Sequence, residues 1–155
     1  MNDFDLVELQ HDGYTASNDR ARLDVEAIHA YLTRSYWAEG ISRERVERSL
    51  QRSLCFGLYD GTGAQVGFTR VVTDGATFAY LCDVYVLEAA RGKGLGQWLV
   101  KTTLAHPSLS GLRRFVLGTR DAHDLYARYG FTGLRAPERM MEIFRPDIYK
   151  QQSTT

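Results

Sequence analysis

The sequence has few of the features that stabilise small secreted proteins or anchor proteins in membranes. Only two of its 155 residues are cysteines, and Cys55 and Cys82 match no metal-binding spacing. Both lie in apolar segments, so we expect buried free thiols in a cytoplasmic protein. The four histidines show no ligand spacing, and we expect no metal site. No segment approaches the roughly 20 apolar residues of a membrane helix, and the acidic N-terminus is unlike a secretory signal.

An excess of charge of one sign is also absent. Lys plus Arg and Asp plus Glu each number 19, so the formal net charge is zero. A non-specific nucleic-acid binder needs a strongly basic balance, and we therefore expect no nucleic-acid partner. A disordered chain is poor in aromatic residues, whereas 12% of these residues are aromatic. The length fits one folded domain over residues 1–150, with residues 151–155 as a disordered tail.

The pattern of apolar residues predicts an α+β fold, in which helices flank a mixed, mostly antiparallel central sheet. Asp24 and Ser42 are suitable N-caps, so helices are predicted to begin after each of them. Two further helices are predicted over 94–105 and 122–129. Strands are predicted over 4–9, 53–59, 65–73, 77–87, 114–119 and 140–144. Asp83 is the one charged residue in the long apolar strand 77–87.

A glycine-rich turn, R-G-K-G-L-G over residues 91–96, joins that strand to the next helix. Its glycines leave the backbone N–H groups at the helix start unobstructed, and the helix dipole adds positive potential. Arg91 and Lys93 add full charges, so the turn predicts a phosphate or pyrophosphate site. The spacing fits neither a Walker loop nor a dinucleotide-binding fold. A turn that binds nothing is the structural alternative.

This strand and turn resemble the acyl-CoA pyrophosphate loop of the GNAT superfamily of N-acetyltransferases. Arg91, Gly94 and Gly96 occupy the fixed positions of that family's Q/R-x-x-G-x-G/A pattern. The predicted order of elements over residues 4–144 also fits the family. The resemblance implies the acyl-CoA N-acyltransferase fold.

A second segment, residues 121–131, is similar to the family's A-x-x-x-Y-x-x-x-G-F segment. Ala122, Tyr126 and Gly130 are in register, and a phenylalanine follows the glycine. The chain departs from the family just before this segment, because Arg120 and Asp121 stand where many members have an asparagine. The contacts of that asparagine are therefore not expected here.

The resemblance implies transfer of an acetyl group from acetyl-CoA to a primary amine of a small molecule or a protein. The amine would attack directly in a ternary complex. One alternative is an acyl-CoA-binding regulatory or sensor module without turnover, and another is a site for a different phosphate ligand. The sequence leaves the acceptor, the acyl chain length and the oligomeric state open, with a homodimer as one option.

The resemblance assigns Tyr126 as the general acid that protonates the departing thiolate, although its place on an apolar helix stripe also fits a core aromatic. For the general base, Asp83 and His123 are candidates. The alternative for Asp83 is a structural carboxylate paired with an arginine, and the alternative for His123 is a solvated helix residue. Some relatives use water relays instead. Tyr36, Trp37 and Glu39 are candidates for binding the amine, opposite residues 140–142, and a packed aromatic loop is the alternative.

The cofactor site follows from the same resemblance. The strand would supply a backbone N–H to the thioester carbonyl, and the loop would hold the pyrophosphate. The implied contacts with acetyl-CoA are Val84, Tyr85, Val86, Arg91, Gly92, Lys93, Gly94, Leu95, Gly96 and Ala122.

The neutral total conceals an uneven distribution of charge. Residues 91–120 contain six basic residues and no acidic ones, so 13 basic residues stand against 19 acidic ones elsewhere. We expect a basic region at the phosphate site and an acidic remainder that favours cationic acceptors.

Overall fold

The computed structural model describes residues 4–152, which form six strands and five α-helices. The strands are β1 (Glu8–His11), β2 (Tyr14–Ser17), β3 (Leu54–Tyr59), β4 (Gln65–Thr73), β5 (Phe78–Val86) and β6 (Arg114–Leu117). The helices are α1 (Val25–Leu32), α2 (Arg43–Gln51), α3 (Leu95–Leu104), α4 (His123–Ala127) and α5 (Ile148–Gln152). None of the helices in residues 4–152 is long and apolar enough to cross a membrane.

The strands form one sheet in the order of the sequence. Strands β1 to β5 are antiparallel to their neighbours, and β6 alone runs parallel, to β5. A parallel neighbour requires a crossover, which α3 supplies between β5 and β6. The predicted mixed, mostly antiparallel sheet flanked by helices is confirmed.

The helices cover both faces of the sheet. On one face, Leu95 and Leu99 of α3 pack with Phe56 and Leu81 of the sheet. On the other face, α1 and α2 pack with Phe68 and Tyr85, and their buried residues include Ile28, Leu32, Val46 and Leu50. Successive residues of a strand face opposite sides, so β4 and β5 contribute to both cores.

The starts of α1 and α2 confirm the predicted caps. The Asp24 carboxylate accepts a hydrogen bond from the Ala27 N–H at 3.0 Å, and the Ser42 hydroxyl accepts one from the Arg45 N–H at 3.2 Å. Each cap satisfies one of the N–H groups that lack a partner at a helix start. Helix α4 is shorter than its prediction over 122–129.

The first predicted strand, over 4–9, is replaced by a hairpin. Strand β1 begins at Glu8, and β2 pairs with it so that His11 lies opposite Tyr14. Asp12 and Gly13 form the turn between them, both with positive φ, of 50° and 82°. An Asp-Gly pair is a strong local hairpin signal, so this turn follows from a local sequence rule.

The predicted strand over 140–144 is wrong, since these residues pair with no strand and lie at the surface. Edge strands need a partner in the sheet, which local sequence cannot supply. At the C-terminus, α5 extends to Gln152. The expected tail therefore falls partly on a helix, and its residues 153–155 lie outside the described residues.

Candidate functional site

Strands β5 and β6 separate about halfway along β5. Their pairing covers Phe78–Leu81 against Arg114–Leu117, whereas β5 continues to Val86. The register of β5 against β4 shifts at the same point, because Arg70 pairs with Asp83 while Val71 pairs with Leu81. A residue without a partner makes a β-bulge, which bends and twists a strand. The sheet is therefore open beside the second half of β5.

Backbone N–H groups point into this opening. The N–H of Leu87 donates to the Val66 carbonyl, on the β4 side of the strand. Alternate residues of a strand direct their N–H groups to opposite edges. Val84 and Val86 therefore direct their N–H groups away from β4, where they have no β6 partner.

The glycine-rich turn leads from β5 into the start of α3. Gly92 and Gly94 have φ values of 81° and 73°, in the left-handed region that favours glycine. A Cβ at either residue would meet no atom within 4 Å. Unlike α1 and α2, α3 begins without a side-chain cap. Its first N–H groups are thus free to bind an anion.

A groove of about 420 Å³ lies against this turn. It is lined by Val86, by residues of the turn that include Arg91, by Leu125 of α4 and by Arg128 just after α4. The Arg91 Nε–H donates to the Val86 carbonyl at 2.9 Å, which holds its guanidinium beside the turn. Arg128 is a second cation that the sequence did not indicate, because only the docking of α4 brings it there.

The predicted basic region is divided by the fold. Lys93 turns away from the groove, and its ammonium donates to the Tyr14 hydroxyl at 3.0 Å. Arg113 and Arg114 line a different groove along β6. Arg120 lies over the Tyr36 ring, with its guanidinium carbon 4.0 Å from the centroid. Residues 91–120 therefore form no single basic patch, since β6 and α3 carry their charges to separate surfaces.

A second cavity, of about 480 Å³, opens on the other side of α4. It lies between the loop after α1, strand β5 and the connection from β6 to α4. Tyr36 and Trp37 line it, together with Ala122 and Tyr126. The sequence did not indicate several of its other lining residues, which are Arg70, Tyr80, Cys82, Arg120 and Tyr149.

Asp83 lies at the wall of this cavity with both carboxylate oxygens engaged. Oδ1 accepts a hydrogen bond from Trp37 Nε1 at 2.7 Å, and Oδ2 accepts one from Arg70 Nε at 2.6 Å. Burial alone would lower the pKa of Arg70. The charge and the hydrogen bond of Asp83 outweigh that effect and hold the pKa well above its usual range. This is the structural carboxylate that the sequence left open as an alternative to a base.

Replacing Asp83 by Ala should lower the free energy of unfolding by about 3 kcal/mol, because it leaves the Arg70 charge buried without its partner. Urea unfolding followed by circular dichroism measures the change. Glu26→Ala is the control, since Glu26 forms an exposed ion pair with Arg43 and its loss should cost under about 1 kcal/mol. Equal losses for the two variants would show that the Asp83 pair is not effectively buried.

Tyr126 lies where the cavity reaches α4. Its side chain is buried, and among residues 4–152 its hydroxyl has no hydrogen-bond partner. Burial is the main effect that raises the pKa of Tyr126, and the nearby Tyr36 adds a smaller increase. The phenol therefore stays protonated and can donate a proton into the cavity.

The structure leaves four predicted site residues outside the two cavities, and one of them is Lys93, which contacts Tyr14. His123 is an exposed residue at the start of α4 and lines neither cavity. Glu39 is exposed and pairs with Lys150 of α5 at 3.3 Å. The Tyr85 ring stacks on the Tyr31 ring in the core under α1, with 3.8 Å between the ring centroids. The Tyr85 side chain therefore lies away from both cavities. Residues 140–142, which were predicted to lie opposite Tyr36 and Trp37, are also outside the second cavity.

Comparisons with known proteins agree with this architecture. A family model described as an acetyltransferase (GNAT) domain matches residues 51–133, just over half of the chain. The chain is 36% identical over 137 residues to FG08082, a candidate acetyltransferase of Gibberella zeae, with coverage of 74% of this chain and 76% of that protein.

Solved structures show the same similarity. A candidate GNAT acetyltransferase from Xanthomonas campestris pv. campestris has a TM-score of 0.86 and 46% identity, and the match covers 91% of this chain and 98% of that one. A GNAT acetyltransferase from Elizabethkingia anophelis, solved with acetyl-CoA bound, has a TM-score of 0.60 and 16% identity, with coverage of 87% and 90%. The latter likeness concerns the fold alone. Together the family model and the close relatives show that this chain belongs to the GNAT family and is an acetyltransferase.

Proposed function

We propose that this protein transfers the acetyl group of acetyl-CoA to a primary amine by direct attack in a ternary complex. The observation that carries the proposal is that neighbouring residues of β5 and of α4 line the two cavities. Val86 and Leu125 line the groove beside the turn, whereas Val84 and Tyr126 line the second cavity. A donor in the groove and an acceptor in the cavity would thus approach each other between β5 and α4.

The groove fits the phosphate end of acetyl-CoA. The uncapped start of α3 offers free N–H groups, and Gly92 and Gly94 leave space for close approach of phosphate oxygens. Arg91, from the turn, and Arg128, from the chain just after α4, supply two positive charges. The acetyl-CoA bound to the Elizabethkingia anophelis acetyltransferase supports the same ligand for this fold.

Two groups of this chain serve the reacting end. Acetyl-CoA supplies an activated thioester, and the free N–H groups of Val84 and Val86 are donors suited to its carbonyl oxygen. The protonated Tyr126 hydroxyl can give a proton to the departing thiolate. Asp83 acts as a positioning residue, because it fixes the Trp37 ring in the cavity wall.

The attacking amine must lose a proton, because an alkyl amine has a pKa of about 10.4. The buried carboxylate of the cavity wall, Asp83, is already paired with Arg70, whereas Asp121 is exposed and lies 4.0 Å from Arg120. We infer that water accepts the proton. Because Asp83 is paired, aromatic rings rather than this buried carboxylate would contact the cationic amine before it reacts.

Release of CoA thiol from acetyl-CoA over a panel of primary amines, amino acids and aminoglycosides tests the proposal. An amine-dependent release, with the acetylated amine identified by mass spectrometry, is the expected result. Acetyl-CoA binding without release by any amine would instead support the sensor module. The two free cysteines also fit a reducing, cytoplasmic setting for this enzyme.

A further inference from the structure

A row of arginines lies along one face of α2. Arg45, Arg48 and Arg52 follow each other at spacings of three and four residues, which places them on the same face over about 10 Å of helix. Arg48 and Arg52 are exposed, whereas Arg45 is half-buried with its guanidinium carbon 5.6 Å from the centroid of the Tyr149 ring. Within residues 4–152, none of the three guanidinium groups lies at ion-pair distance from a carboxylate. The fold therefore leaves their positive charge uncompensated.

These arginines line a groove of about 580 Å³. Among the described residues, none of those that line this groove is acidic. The acidic residues of the same helix, Glu44 and Glu47, lie outside it, and Glu47 pairs with Arg43 at 3.1 Å. A cleft lined by charges of one sign concentrates the electric field and attracts the opposite charge. The α2 groove is therefore suited to an anionic group.

The α2 groove adjoins the second cavity of the site. Four residues line both of them, namely Ile41, Ser49, Arg70 and Tyr149. The charge of Arg70 is already engaged by Asp83, and its Nη1–H group donates to the Ser53 hydroxyl at 3.1 Å. The uncompensated positive charge at this end of the cavity therefore comes from the three arginines of the α2 row.

We propose that the acceptor is a small primary amine that also carries an anionic group, a carboxylate or a phosphate, and that Arg45, Arg48 and Arg52 bind this group. The inference rests on the proposed function, which places the amine in the second cavity near Tyr126. The rest of the acceptor would then extend past the shared lining residues into the α2 groove. Guanidinium groups suit both anions, because they bind two oxygens of a carboxylate or phosphate with parallel hydrogen bonds.

The same arrangement disfavours acceptors with several positive charges. A polyamine or an aminoglycoside in the second cavity would bring further ammonium groups close to Arg48 and Arg52, and like charges repel. The residues outside 91–120 are acidic in total, but this does not make the groove acidic, because Glu44 and Glu47 lie outside it. We therefore expect a zwitterionic acceptor rather than a polycation.

Thiol release with matched amines provides the first test. One series pairs ω-aminocarboxylates of increasing chain length with the alkylamines of the same length. A second pair, phosphoethanolamine and ethanolamine, distinguishes a phosphate from a carboxylate. The anionic member of at least one pair should have a kcat/KM at least about tenfold higher, as expected for hydrogen bonds between charged groups. If the uncharged member is the better substrate in every pair, this inference is overturned while the proposed acetyl transfer stands.

Variants of α2 test whether the arginines cause the preference. Arg48→Gln combined with Arg52→Gln should lower the preference for the anionic amine at least about tenfold, mainly through KM. Both side chains are exposed, so the circular dichroism spectrum should not change. Arg34→Gln combined with Arg43→Gln is the matched control, because it also removes two exposed arginines and neither lines the α2 groove. Equal losses of preference in the two double variants would show that only the total charge matters, and would contradict the proposal.

Binding without turnover separates this inference from the proposed function. The aminocarboxylates and phosphoethanolamine are titrated into the protein, with and without CoA, and amide chemical shifts are followed by NMR. Binding that Arg48→Gln with Arg52→Gln weakens at least about tenfold supports the anion site, even if no amine is acetylated and the proposed transfer fails. Binding that this double variant leaves unchanged, or no binding at all, overturns it. Polyglutamate bound through the same arginines, with none of the small amines bound, would mark a surface for an acidic macromolecule and also overturn it.

Discussion

Replacing Gly94 by Glu should weaken the binding of CoA by at least about 100-fold. Gly94 is the N-cap of α3, and a carboxylate there would occupy the space expected for the phosphates. Two like charges about 4 Å apart repel by up to about 4 kcal/mol near a protein surface, and each 1.4 kcal/mol is a tenfold change in affinity. Isothermal titration calorimetry with CoA measures the loss directly.

A backbone effect must be separated from this charge effect. Gly111 is the matched control, because its φ of 72° equals that of Gly94 within one degree and its Cβ would also meet no atom within 4 Å. Gly111→Glu should therefore carry the same left-handed strain, of about 1 kcal/mol, and leave CoA binding unchanged. If Gly94→Glu bound CoA as well as the control, the turn would not hold the phosphates.

Replacing Tyr126 by Phe should lower kcat by about 100-fold and leave the KM for acetyl-CoA nearly unchanged. The change removes only the hydroxyl, which has no partner in the described part of the chain, so the fold should not suffer. A general acid that acts on the leaving group typically contributes 100-fold or more. Steady-state thiol release with the best acceptor amine measures both constants.

The pH dependence sharpens this prediction. Burial raises the pKa of Tyr126 above its ordinary value of about 10, so the acid form persists throughout pH 6–9. The rate should rise with pH over this range as the acceptor amine loses its proton, in the enzyme and in Tyr126→Phe alike. The two profiles should be parallel and separated by a constant factor.

Tyr129→Phe is the control for the loss of a phenol near α4. The Tyr129 hydroxyl donates to the Gln97 carbonyl at 3.0 Å and lines neither of the two cavities of the site. Its removal should change kcat by less than about threefold. Equal rates for Tyr126→Phe and Tyr129→Phe would contradict the assignment of Tyr126 as the acid.

Local sequence rules predicted the parts of the fold that depend on neighbouring residues. The caps Asp24 and Ser42 and the turn before α3 were found because each acts on N–H groups within a few residues. The hairpin at Asp12 and Gly13 obeys a local rule of the same kind. The strand over 140–144 failed for another reason, since its pattern is correct for a strand but its own chain provides no partner.

The candidate site divides in the same way. The glycine spacing was enough to predict the anion-binding turn, and the register of Ala122, Tyr126 and Gly130 placed Tyr126 at the site. Asp83 could not be interpreted from sequence, because its role depends on Arg70 in the adjacent strand and on Trp37, which is 46 residues away. Arg128 and Tyr149 reach the cavities only through the docking of α4 and α5.

By itself, the sequence determined the family, the mixed sheet and the position of the glycine-rich turn, because each follows from periodicity or from motifs of fewer than a dozen residues. Only the tertiary structure decided how the charges are used. It paired Asp83 with Arg70 and distributed the basic residues of 91–120 over separate surfaces. These outcomes depend on distances between residues far apart in the chain, which strand register and helix docking fix and which local sequence does not encode.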